Sequence, residues 1–156
     1  MCLIVFAWRP GHPQPLIVAA NRDEFYARPS QALGHWDDRP GIYAGRDLKA
    51  GGTWLGISET GRFAALTNIR DPRLPQGGPS RGELVAGFLH GRQSARQYLD
   101  ELGKRASAYA GFNLLVGDSR QLWHFNQLQG IPRQLQEGLY GLSNADLDSP
   151  WPKLRR

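Results

Sequence analysis

The sequence has one cysteine, no long apolar run and no block of like charge. A single cysteine, Cys2, excludes an internal disulfide, which points to a reducing compartment or to indifference to one, and a cytoplasmic setting is the expectation. The longest apolar stretch, Cys2 to Trp8, is far short of the ~18 residues a membrane-spanning helix needs. It also lacks a basic stretch before it and a small-residue cleavage site after it, so it reads poorly as a signal peptide. The four histidines, His12, His35, His90 and His124, show no ligand spacing, and no cysteine pair accompanies them. A metal site therefore has no support, and no haem-attachment motif is present. Gly51-Gly52-Thr53 and Gly77-Gly78-Pro79 are glycine turns without the lysine of a phosphate loop.

What is present suits one folded domain over residues 1–156. Hydrophobic residues at 40% can supply a core, and aromatics at 10% argue against a disordered chain. The balance is basic, with 19 Lys and Arg against 14 Asp and Glu. Nucleic acid is the first partner such a balance suggests. The distribution argues against it, because the basic residues are scattered and sit beside acids, as in Arg22-Asp23-Glu24, Arg46-Asp47 and Arg70-Asp71. Anionic small molecules, such as carboxylates or acyl-coenzyme A, are an equally good use of the charge.

The patterning predicts antiparallel strands with few helices, an α+β class. Leu3 to Trp8 is apolar throughout, as a strand buried on both faces would be, and should pair with Leu16 to Ala20 across a Pro-Gly turn. Residues 26–50 look like a surface excursion with a short strand near Ile42 to Ala44. Thr53 to Ser58 and Arg62 to Thr67 flank Gly61 as a hairpin. Asn113 to Val116 and Gln121 to Phe125 form another, and Gly138 to Ser143 is one more strand. Ser80-Arg81-Gly82-Glu83 and Ser94-Ala95-Arg96-Gln97 each read as a capping box opening a helix. Asp148-Ser149-Pro150 announces a third helix, with only six residues after it.

Four features carry chemistry when taken together. Cys2 becomes the first residue if Met1 is removed, placing a thiol and a free amine on one carbon. That amine has a reference pKa of about 7.7–8.0, so it can accept the thiol proton without a histidine. Alone, Cys2 reads more readily as a small buried residue starting a strand. Asn21-Arg22-Asp23-Glu24 closes an apolar strand with polar groups, either a functional strand end or a solvated turn. Thr67-Asn68 and Ser143-Asn144 each place an asparagine after a β-like run. An asparagine amide can stabilise an oxyanion, worth about 3–4 kcal/mol where it does so, or simply lead into a turn.

Met1-Cys2-Leu3, Ala20 to Phe25, Gly51 to Gly56, Leu66-Thr67-Asn68, Tyr140 to Asn144 and Leu147 to Lys153 resemble, in that order, the NRDE family of transport-and-Golgi-organisation 2-like proteins. That family is similar in turn to the N-terminal-nucleophile amidohydrolases, the branch of bile-salt hydrolases and penicillin V acylases. The resemblance implies a four-layer αββα sandwich, here lacking the family's C-terminal part. It implies Cys2 as the catalytic nucleophile, Asp23 orienting its amine, Asn68 at the oxyanion, and Asn144 holding the amine or the oxyanion. Ala20 stands where the amidohydrolases carry an arginine, and Arg22 is the substitute expected to bind substrate. Their C-terminal catalytic arginine has no counterpart in this sequence. The implied function is hydrolysis or acyl transfer on an amide or thioester, with no cofactor. The alternative is a non-catalytic carrier of haem or a lipid or acyl ligand, in which surface-prone Trp36, Trp54 and Trp151 with the arginines would suit a haem and its propionates. Unpaired sheet edges make a homodimer the expected assembly.

Overall fold

The computed structural model describes residues 2–150. The strands are β1 (Leu3–Trp8), β2 (Leu16–Asn21), β3 (Ser30–His35), β4 (Ile42–Asp47), β5 (Leu55–Ser58), β6 (Phe63–Asn68), β7 (Phe112–Gly117), β8 (Leu122–Asn126), β9 (Arg133–Gln134) and β10 (Gly138–Leu142). The helices α1 (Gly82–His90) and α2 (Ala95–Gly103) lie between β6 and β7. All strand pairs are antiparallel. The order β3-β4-β5-β6-β7-β8-β9 makes one sheet, and β10-β1-β2 a second. The α+β class is as expected.

Alternation along the central strands assigns the layers. Ala64, Leu66, Phe112, Leu114, Val116 and Phe125 face α1 and α2. Phe63, Ala65, Leu115 and Leu122 face the small sheet, where they meet Ile4, Phe6, Trp8 and Leu142. The large sheet is thus covered on both faces, which is why β7 and β8 are buried at every residue. Helix α1 approaches closely because Gly56 lacks a side chain. A Cβ there would lie 2.8 Å from Leu89 Cδ1 and 2.7 Å from Ala44 Cβ. Helices, large sheet and small sheet are three of the four implied layers. Among the described residues no helix packs on the outer face of the small sheet.

Several local expectations need correction. Strand β1 is buried on one face, not two: Ile4, Phe6 and Trp8 point inward, while Leu3, Val5 and Ala7 are half-buried. Residues 26–50 hold two strands, of which β3 was not expected. It is an edge strand exposed along nearly its whole length, so it lacks apolar alternation. The capping box at Ser80 does not form. The cap of α1 is Arg81, with no side-chain bond, and Ser80 offers only its carbonyl, to the Glu83 amide. The second box forms in full between Ser94 and Gln97. Gly61, with φ of 80°, closes the β5–β6 turn as expected. Asp148 turns back to accept a 2.7 Å hydrogen bond from the Gly141 amide. The helix expected after Pro150, and the Trp151-Pro152-Lys153 end of the family resemblance, lie outside the described residues.

Candidate active site

One end of the sandwich gathers the start of β1 and the ends of β2, β6 and β10. Asn21 closes β2 opposite Leu3, so residues 22–24 turn past Cys2. The Asp23 backbone amide hydrogen-bonds the Cys2 thiol. Ser143, just after β10, donates from Oγ to the Cys2 carbonyl at 2.8 Å. Arg22 donates to Glu24 at 2.6 Å, and Asn21 donates to the Asp23 carboxylate at 3.5 Å. Burial pushes the Cys2 thiol above its ordinary pKa. The amino-terminal charge, the Asp23 amide and Arg22 pull the other way without cancelling it.

Cys2, Arg22, Asp23 and Asn68 all line one cavity of about 1160 Å³. Its wall depends on the glycine motif. The Thr53 amide donates to the Gly82 carbonyl at 3.3 Å, and a Cβ on Gly52 would lie 2.6 Å from the Gly82 carbonyl carbon. Gly52 therefore brings the loop before β5 against the start of α1. An ion pair of 2.5 Å between Arg28 and Asp47 stands in the same wall. Burial works against the Asp47 charge, but Arg28 and the amides of Lys49 and Ala50 hold its pKa below the ordinary carboxylate value.

Asn144 is placed differently. It is buried, and its Nδ2 donates to the Asn68 backbone carbonyl at 2.8 Å. It faces a smaller neighbouring cleft and does not line the cavity. The structure thus brings four of the five expected site residues together and sets Asn144 behind Asn68 as a support.

A family model for transport and Golgi organisation 2 matches residues 1–156. The transport and Golgi organization protein 2 homolog of Bos taurus is 42% identical over 167 aligned residues, covering 99% of this chain and 60% of that one. The Drosophila melanogaster transport and Golgi organization protein 2 is 32% identical, covering 99% and 62%. This chain belongs to the transport and Golgi organisation 2 family. It spans about 60% of the length of these relatives. A penicillin V acylase from Agrobacterium tumefaciens is a structural neighbour, with a TM-score of 0.47 and 14% identity, covering 92% of this chain and 44% of that one.

Behind the site of this family member, a buried polar network joins the large sheet to the segment after β10. Asn113 Nδ2 donates to the Ala145 carbonyl at 2.5 Å and to Thr67 Oγ1 at 3.3 Å. Asn113 Oδ1 meets His124 Nε2 at 3.0 Å and accepts from Asn126 Nδ2 at 3.2 Å. Asn126 also donates to Asp146 at 3.2 Å. Burial pushes the His124 pKa down to about 4, so its ring is neutral. His124 is the satisfied polar histidine that a lone histidine usually is.

One expectation about the aromatics changes, and two arginines join the site. Trp36 is not a surface residue. It is 4% exposed, donates to the Ala44 carbonyl and lies under the Arg46 guanidinium. Trp54 does line the cavity, and Trp151 is outside the described residues. Arg28 and Arg81 line the cavity without having been singled out. Arg81 stood in the sequence only as the middle of a supposed capping box, and no local signal marked it.

Proposed function

We propose that this chain carries the reaction centre of an acyl-transfer enzyme, with Cys2 as an N-terminal nucleophile acting on an amide or thioester. The observation that carries the proposal is the convergence of Cys2, Asp23 and Asn68 on one cavity large enough for a substrate. Removal of Met1 gives Cys2 its own amine. The amine takes the thiol proton, and the Asp23 carboxylate holds the amine in place. The thiolate sulfur forms a bond to the substrate carbonyl carbon, and the carbonyl electrons move onto oxygen. The Asn68 side-chain amide, for which no hydrogen bond is found among the described residues, donates to that oxyanion. Asn144 fixes the Asn68 backbone. As the oxyanion collapses, the C–N or C–S bond of the substrate breaks, and the leaving group takes the proton held by the amine. Water, or an acceptor amine or thiol, then releases the acyl group from Cys2.

The test is a panel of small amides and thioesters with the Met1-free chain and Cys2→Ala. Turnover that disappears in Cys2→Ala is expected. Turnover that persists unchanged would overturn the nucleophile assignment.

A ligand carrier is the second reading. Its support is the size of the cavity and the exposed Phe25 and Leu33 that line it, which suit an apolar chain. Among the described residues no histidine lines the cavity, so Cys2 is the lining residue that could ligate a haem iron. Ligand binding that survives Cys2→Ala, with no acyl turnover, favours the carrier.

A further inference from the structure

Among the described residues five arginines line the cavity, and they are not equivalent. Arg22, Arg28 and Arg46 are committed to carboxylates, those of Glu24, Asp47 and Asp38, at 2.5 to 2.6 Å. Arg70 is exposed and can be satisfied by water. Arg81 is half-buried, and the partner found for it is a backbone oxygen, the Gly111 carbonyl, 2.7 Å from Nη1. No carboxylate pairs with it among the described residues. A guanidinium has five N–H donors, and one carbonyl leaves most of them unused. Burial and the nearby Arg28 charge both disfavour its positive charge, and the influence in its favour is the Cys2 thiol. Arg81 is thus an under-compensated cation lining the same cavity as Cys2.

We propose that Arg81 anchors a negative group of the substrate, so that the substrates are amides or thioesters bearing a carboxylate or phosphate within a few bonds of the scissile carbonyl. This rests on the acyl-transfer reading and narrows its substrate class. The planar fork of a guanidinium matches such an anion bidentately, and the bond to Gly111 fixes the fork in advance. Glu24, Asp23, Asp47 and Asp71 also line the cavity, so its charge is not uniformly positive. An anion is accepted at Arg81 because Arg22, Arg28 and Arg73 already pair with Glu24, Asp47 and Asp71.

Since Cys2 is the only cysteine, alkylation reads the site without any substrate being known. Iodoacetate and iodoacetamide differ in charge but not in chemistry: in each, the thiolate sulfur bonds to the methylene carbon and iodide leaves. The rate ratio of iodoacetate to iodoacetamide is measured on the folded Met1-free chain and on an unstructured peptide with the same N-terminus. The folded chain is expected to favour iodoacetate about tenfold over the peptide. Arg81→Gln is expected to remove that preference, Arg81→Lys to keep part of it, and the distant exposed Arg92→Gln to leave it unchanged. If Arg81→Gln does not fold, Arg81→Met keeps the aliphatic stem and carries the same expectation. A folded chain with no preference overturns the proposal. So does an Arg81→Gln chain in which both reagents slow by the same factor, because Arg81 then stabilises the thiolate and not an incoming anion. The ratio does not depend on turnover. An anion preference without acyl transfer would refute the enzyme reading alone, and acyl transfer without the preference would refute Arg81 alone.

Discussion

The two faces of the large sheet are built from the same strands but not from the same chemistry. On the helix side, Phe112, Leu114, Val116 and Phe125 pack against α1 and α2 without a polar group among them. On the side of the small sheet the lining changes along the strands. Phe63, Ala65, Leu115 and Leu122 occupy one part, and Thr67, Asn113, His124 and Asn126 the other. The polar part lies toward the sandwich end where Cys2, Asn68 and Asn144 meet. One face therefore supplies stability, and the other gives up some apolar burial to fix the segment that carries Asn144.

The largest expected effect is on the apolar face. Phe112 is fully buried and stacks at 5.9 Å on Phe125. Phe112→Ala should destabilise the chain by about 3–5 kcal/mol in urea unfolding. A loss under about 1 kcal/mol would break the contrast between the faces.

Acid should act through the polar face. Unfolded, a histidine titrates near 6.5, whereas His124 in the fold titrates at about 4. Between those values acid protonates only the unfolded chain. Stability is therefore lost as pH falls from about 6.5 toward 4, by about 3 kcal/mol. Urea unfolding at pH 7 and pH 4 should show this loss, and His124→Gln should show much less of it.

Asn113→Ala is expected to cost about 2 kcal/mol, since it leaves the Ala145 carbonyl and His124 short of a partner. It should also raise amide hydrogen exchange in residues 143–146. Unchanged exchange there would separate the network from the site.

The smallest effect compares the two helix starts. Ser94→Ala should cost about 1 kcal/mol because its cap is formed, and Ser80→Ala almost nothing because its side chain caps nothing. Thermal unfolding of the pair measures the difference.

The pattern of success in reading the sequence follows the same division. The hairpins β1–β2, β5–β6 and β7–β8 were legible because their apolar runs are bounded by turn residues, and both helices because their apolar spacing is local. Strand β3 was not, since an exposed edge needs no apolar face. The ordered motifs pointed to Cys2, Asp23 and Asn68, which the fold gathers around one cavity. Arg81 was invisible because its place depends on how the loop from 69 to 81 crosses the cavity. The Ser80 box failed because Ser80 stops one residue short: Arg81 takes the cap position with helical backbone angles. Trp36 was misplaced because tryptophan looks surface-prone until Ala44 and Arg46 are known to enclose it.

The most direct test of the central claim, that Cys2 with its own amine is the nucleophile, is the pH dependence of iodoacetamide labelling. It is followed by intact mass on the folded chain with and without Met1. With Met1 retained, burial holds the thiol above its ordinary pKa, so labelling should rise only at alkaline pH. With Met1 removed, the ammonium on the same carbon should shift the rise to below the ordinary cysteine value of about 8.5. Identical profiles for the two forms, or a Cys2 that labels only after unfolding, would contradict the account and make Cys2 a structural residue.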